Sequence, residues 1–182
     1  RNQTAWSLAK INLYLNGILN HRVVLGDALL SPKLLQGPNQ LKQFDVAVSM
    51  PPMGQNDWGF DALQDDLFGR FVFGLPPKTK GDFAAIPPML ASLNPNHGRM
   101  LVVTTLGVLF RGGSDGEIRQ RLIEANLLDT VIVLPDRLLS NTGVPLAILI
   151  FRREKTDDNV LFVDASKEFQ SSRKQNALTP EN

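Results

Sequence analysis

The sequence holds no cysteine, only two histidines and a single tyrosine, and its charges nearly cancel. Without cysteine there is no disulfide framework and no thiolate metal site. His21 and His97 lie far apart and form no ligand cluster, so no structural metal is expected. No apolar run approaches the roughly 18 to 20 residues needed to span a bilayer. The N-terminus also lacks the charged, apolar, small-residue order of a signal peptide, and the chain is read as cytoplasmic. Nineteen Lys and Arg against eighteen Asp and Glu leave a net charge of +1. A dedicated nucleic-acid binder carries a clear basic excess. If this chain meets a nucleic acid, other subunits or other parts of the protein must help hold it. What is present is apolar content of 43% over 182 residues, enough for one globular unit with a real core.

Periodicity predicts helices alternating with short apolar strands, the pattern of an open α/β sheet with helices on its faces. A helix is expected over Thr4–Leu19, capped by Thr4, ending near Gly17 and packing one face on the sheet. His21–Leu25 reads as a strand closed by Gly26-Asp27, and Phe44–Ser49 as one closed by Pro51-Pro52. Asp82–Leu93 reads as a helix kinked or shortened by Pro87-Pro88, followed by a turn at Asn94–Gly98 and a strand at Arg99–Thr105. Ser114-Asp115-Gly116-Glu117 fits a capping box that opens a helix running to about Asn126. Leu128–Leu134 and Val144–Phe151 follow as strands, with Val160–Val163 as an edge strand. Gln55–Lys80 is expected to be a flexible insertion, since loops of that length without regular structure are uncommon unless functional. Residues 167–182 turn polar and read as a tail, separate from the domain at 1–166, that is poorly ordered or docks elsewhere.

The segment richest in chemical meaning is Phe44-Asp45-Val46-Ala47-Val48-Ser49-Met50-Pro51-Pro52-Met53-Gly54. An apolar strand ending in a Pro-Pro turn resembles the catalytic loop of amino-group DNA methyltransferases, usually Asn-Pro-Pro followed by Phe, Tyr or Trp. Met50 stands at the Asn position and Met53 at the aromatic one. Further segments extend the resemblance over nearly the whole chain. They are Trp6–Leu13, Leu25-Gly26-Asp27-Ala28-Leu29, Gly107–Gly113, Asn126-Leu127-Leu128-Asp129 and Asn141-Thr142-Gly143-Val144-Pro145. Their order and spacing resemble the modification (methyltransferase) subunit of type I restriction-modification systems, an N6-adenine DNA methyltransferase family that uses S-adenosyl-L-methionine.

That resemblance implies a Rossmann-like methyltransferase fold with a mostly parallel sheet and flanking helices. It also implies a substrate of duplex DNA, and specificity and restriction subunits as partners. The family's first cofactor-binding strand and glycine-rich turn precede the first helix. The chain therefore reads as the C-terminal portion of the catalytic domain, incomplete on its N-terminal side. By the same resemblance Asp27 would accept a hydrogen bond from the amino group of the cofactor's adenine, with capping of a following helical turn as the alternative. Phe44 would flank the adenine ring, or belong to the core. Arg111 would touch a DNA phosphate, or sit as a solvated surface charge. Asn141 and Thr142 would lie on the substrate side of the sheet, facing DNA. Gly112-Gly113 before a helix invites a phosphate-binding reading but lacks the spacing of a nucleotide fingerprint, so a tight turn is preferred. The pair Arg152-Arg153 reads as a strand end.

The reaction explains why the two methionines matter. Adenine N6 has its lone pair delocalised into the ring, so an enzyme must accept hydrogen bonds from the amino protons and let the nitrogen pyramidalise. The base must also leave the duplex and stack on a ring. Met50 offers a thioether, a weak acceptor, and Met53 offers apolar contact without an aromatic face. Ser49 points to the opposite side of its strand. Asn56 and Trp58 could bend back to supply an amide and a ring. Three readings follow: an adenine-N6 methyltransferase subunit impaired at Met50 and Met53, a non-catalytic member kept for assembly or DNA positioning, and a Rossmann-like protein acting on a small molecule. A fragment of this kind is expected to be inactive by itself.

Overall fold

In a computed structural model, residues 2–140, 142–173 and 175–180 are described. The chain divides into two compact units, with the boundary after Lys42.

In the first unit, helix α1 spans Gln3–Leu15 and is capped by Asn2, whose side chain accepts from Ala5 N–H at 3.0 Å. The cap lies two residues before the expected Thr4, which is inside the first turn. Asn16 closes the helix, and Gly17 follows at φ +73°. None of the α1 residues is buried, so the expected packing face is exposed along Leu8, Ile11 and Leu15. His21–Leu25 is not a strand. A β-run becomes a strand only when a neighbour completes its ladder, and this one has none among the described residues. It is held instead by a bond from the Trp6 indole N–H to Val23 O at 2.9 Å. A short antiparallel ribbon, β1 (Leu35–Gly37) with β2 (Gln40–Leu41), ends the unit.

The second unit is built on a five-stranded sheet ordered β3-β4-β6-β5-β7. The strands are β3 (Val46–Ser49), β4 (Arg99–Thr105), β5 (Leu128–Val133), β6 (Leu146–Arg152) and β7 (Leu161–Asp164). β3 pairs parallel with β4 and β5 with β7, while β6 pairs antiparallel with both β4 and β5. Four strands therefore share one direction and β6 alone is reversed. The sheet is mixed, with the mostly parallel sense that was expected. β7 lies at the edge, as expected, one residue further along than Val160–Val163.

Helices α2 (Ile86–Ala91) and α3 (Ser114–Glu124) belong to the same core as one sheet face. Met100 and Val102 of β4 lie opposite Phe151 and Leu149 of β6, and all four are buried against Ile86, Leu90, Ile118 and Leu122. Pro87 and Pro88 do not kink α2; they occupy its first turn, where a missing N–H costs nothing, and the helix is shorter than the expected Asp82–Leu93. The expected capping box is absent. Gly113 is the N-cap, without a side-chain bond, and Ser114 is already helical. Helix α3 gains its fixation from Asp115, buried at 1% exposure and paired with Arg111. It stops at Glu124, two residues short of the expected end, with Asn126 at φ +52°.

The Gln55–Lys80 stretch is packed rather than open. Its two ends meet where Gly81 N–H donates to Gln55 O at 2.9 Å. Trp58, 4% exposed, fills its centre, stacked edge-on against Phe60 and tilted against Phe71, with its indole N–H given to Pro77 O. Gly81 is needed because a Cβ there would lie 2.6 Å from the Trp58 ring. Arg70 and Asp66 form a buried bidentate pair within the same stretch. The polar tail folds back on its own unit. Asn176, 3% exposed, donates to Asp136 O and Asp136 Oδ1, and Gln170 bridges Ala177.

Candidate active-site loop

In open α/β sheets, ligands bind beyond the carboxyl ends of the parallel strands. β3 delivers Met50-Pro51-Pro52-Met53 to that end, and β4 delivers Thr105 beside it. The reversed β6 brings in the loop that precedes it: Thr105 lies opposite Leu146, and Leu106 N–H donates to Pro145 O at 2.9 Å. The Met50–Met53 turn and the 142–145 segment thus lie at one end of the sheet. Asn141 lies outside the described residues. Thr142 forms a bridge with Leu139, and its hydroxyl accepts from Val144 N–H.

Met50 is 55% exposed, and Met53 is half-buried. Gly54, at φ +66°, closes the turn in a conformation that side chains rarely adopt. Its N–H donates to Asp82 Oδ1 at 2.8 Å. Asp82 is buried, and its other oxygen accepts from Thr105 Oγ1 at 3.1 Å and from Arg111 Nη2 at 2.7 Å. Arg111 reaches Asp115 Oδ2 through Nε at 2.8 Å. Burial alone would raise the Asp82 carboxyl, but the Gly54 N–H, the Arg111 guanidinium and the Thr105 hydroxyl more than offset it and hold it below its ordinary value. Burial likewise works against the Arg111 charge, and Asp115 and Asp82 outweigh that, raising its pKa.

Arg111 therefore has an internal role, clamped between two carboxylates with its side chain 22% exposed. That geometry does not present a free charge to a phosphate. Asp82, Thr105 and Asp115 were not singled out from the sequence. One clue was available: Asp82 is the sole charged residue of Gly81–Leu93, and a carboxylate buried there requires a cation. Trp58 cannot serve as a replacement ring while it fills its own loop. Asn56 remains exposed.

In the first unit, Asp27 caps the turn that follows it. Its Oδ1 accepts from Leu29 N–H at 3.0 Å and from Leu30 N–H at 2.9 Å. Oδ2 has no partner among the described residues, so capping leaves one acceptor oxygen for a ligand's amino group. Phe44 is half-buried, and its backbone exchanges bonds with Ser92 O and Asn94 N–H. Arg152 pairs with Asp129 at 3.2 Å and Arg153 donates to Leu90 O at 2.6 Å, the internal bonds of a strand end. No cluster of three metal-binding side chains occurs among the described residues, and none of their helices is long and apolar enough to cross a membrane.

A family model described as N-6 DNA Methylase matches residues 1–182. The chain belongs to the N-6 DNA methylase family. It is 31% identical to the type I restriction enzyme MjaVII methylase subunit of Methanocaldococcus jannaschii, across 100% of this chain and 33% of that protein. The HindI methylase subunit of Haemophilus influenzae is 30% identical over 90% of this chain and 36% of its own length. The chain thus spans about a third of the length of these curated relatives. Among solved structures, the type I restriction-modification methyltransferase subunit of Streptococcus thermophilus superposes with a TM-score of 0.87 at 34% identity. That match covers 99% of this chain and 38% of the other.

Proposed function

We propose that this chain is the sheet-and-loop portion of a type I modification subunit, an adenine-N6 methyltransferase of duplex DNA whose turnover is impaired by Met50 and Met53. Specificity and restriction subunits would be its partners. In this reading residues 1–166 are a partial catalytic domain and 167–182 its polar tail. The observation that carries the proposal is the Met50-Pro51-Pro52-Met53 turn at the carboxyl end of β3, bonded through Gly54 to Asp82.

S-adenosyl-L-methionine would supply an electrophilic methyl group on a sulfonium. Asp27 would hold the cofactor's adenine amino group through Oδ2. The turn's task is to accept the amino protons of a flipped adenine. Backbone carbonyls beside Pro51 and Pro52 can take one such bond. Met50 cannot provide the second with a thioether, and Met53 cannot stack as a ring does. Each lost interaction bears on the transition state, where the nitrogen must pyramidalise, so turnover falls more than binding. Asn141, Thr142 and the neighbouring loop would meet the DNA on the same side.

A second reading, a non-catalytic subunit that keeps the fold for assembly or DNA positioning, draws on the same two methionines. Calorimetric titration of S-adenosyl-L-methionine tests the first step. A dissociation constant tighter than about 100 μM, roughly −5.5 kcal/mol, supports a usable cofactor site in this chain. No binding up to millimolar cofactor would refute cofactor binding by these residues alone.

A further inference from the structure

We propose that Asp82 is a positioning residue whose buried carboxylate fixes the conformation of the Met50–Met53 turn. The inference rests on reading that turn as the target-base loop. Pro51 and Pro52 have no N–H, so the turn cannot brace itself by backbone bonds through them. Its conformation must come from its ends. On one side Ser49 is paired with Val102 in the sheet. On the other, two consecutive residues are tied to two consecutive residues: Gly54 N–H to Asp82 Oδ1 at 2.8 Å, and Gly81 N–H to Gln55 O at 2.9 Å.

The carboxylate also connects the turn to what lies beneath it. Oδ2 takes Thr105 Oγ1, at the end of the strand beside β3, and Arg111 Nη2 from the next loop. Asp115 holds the same guanidinium from the far side at 2.8 Å. Arg119 in turn fastens that loop by donating to Val108 O and Arg111 O, at 2.9 and 3.0 Å. Three donors converge on one acid that has no proton to give. An amide in its place would turn an NH2 toward Thr105 and Arg111, so charge as well as shape is required. With Met50 unable to accept strongly, the turn's remaining acceptors are backbone carbonyls, and their direction depends on this latch.

Hydrogen exchange on the full chain tests the latch without reference to methyl transfer. Asp82→Asn is expected to speed exchange in residues 50–58 by about tenfold, while residues 128–133 and 146–152 keep their rates. Thr105→Val, a milder change that removes one donor, should loosen the same segment less, and Thr105→Ser should restore it. Unchanged exchange at 50–58 in Asp82→Asn, or an equal rise in β5 and β6, would overturn the proposal. In the full-length protein carrying Met50→Asn and Met53→Phe, adding Asp82→Asn should lower kcat with the KM for S-adenosyl-L-methionine unchanged. If that restored protein methylates nothing even with Asp82 intact, the target-base reading fails, and the exchange result still decides the latch.

Discussion

Replacing Arg70 by alanine should open the Gln55–Lys80 stretch. Arg70 and Asp66 are 2% and 7% exposed and are joined through Nη2 and Nε at 2.7 and 3.0 Å. The guanidinium also lies 5.2 Å from the Phe68 ring and 5.7 Å from the Phe71 ring, and Phe71 in turn touches Trp58. Removing one member of a buried ion pair costs about 3–5 kcal/mol, because the other charge is stranded. The stretch has a cheaper route than burying a lone carboxylate, which is to open and hydrate Asp66. The apparent cost is then capped by the free energy of local opening. About 3 kcal/mol would shift the closed-to-open ratio roughly a hundredfold. Trp58 reports the change directly. With Trp6→Phe in the background, it is the sole indole. Arg70→Ala should shift its emission to the red and raise its acrylamide quenching at urea concentrations where far-ultraviolet circular dichroism still shows the sheet. A blue, protected Trp58 with an unchanged unfolding midpoint would refute the reasoning.

Other consequences follow from the same contacts. Gly81→Ala would force a methyl against the Trp58 ring, 2.6 Å away, and overpacking of that kind costs about 1–3 kcal/mol; urea unfolding should show the loss, and Trp58→Ala should relieve it. Burial works against the charge on Asp66, but its bonds to Arg70 prevail, and Asp66, like Asp82, titrates below its ordinary value. Such groups bind protons better when unfolded. Their contribution is complete above the unfolded value of about 3.9 and disappears as pH falls through the folded ones. Unfolding midpoints should therefore drop below about pH 4, and Asp82→Asn should flatten that drop.

The strands of the second unit were legible because apolar, β-branched runs bounded by turns carry their own signal; β4 coincides with the expected Arg99–Thr105. Where pairing decides, the signal failed. His21–Leu25 has strand composition, yet nothing among the described residues completes its ladder. Local motifs also lost to distant contacts. Ser114 and Glu117 spell a capping box, but Asp115 between them is drawn inward by Arg111, and Gly113 takes the cap. The Pro-Pro turn of the candidate site was visible at once, whereas its support was not. Asp82 lies 28 residues from the amide it binds, a separation that leaves no periodic trace. Trp58 showed the same limit: sequence proximity suggested a ring for the site, and the structure spends it on holding the intervening loop together.

In the proposed reading the Met50–Met53 turn is the target-base loop of an adenine methyltransferase, weakened at its two ends. The most direct measurement is N6-methyladenine, quantified by mass spectrometry in duplex DNA treated with the full-length protein and its specificity subunit. Little or none is expected from the unmodified protein, and clear product from Met50→Asn with Met53→Phe. Robust methylation by the unmodified protein would contradict the claim of impairment, and no product from either would contradict the assignment of the loop.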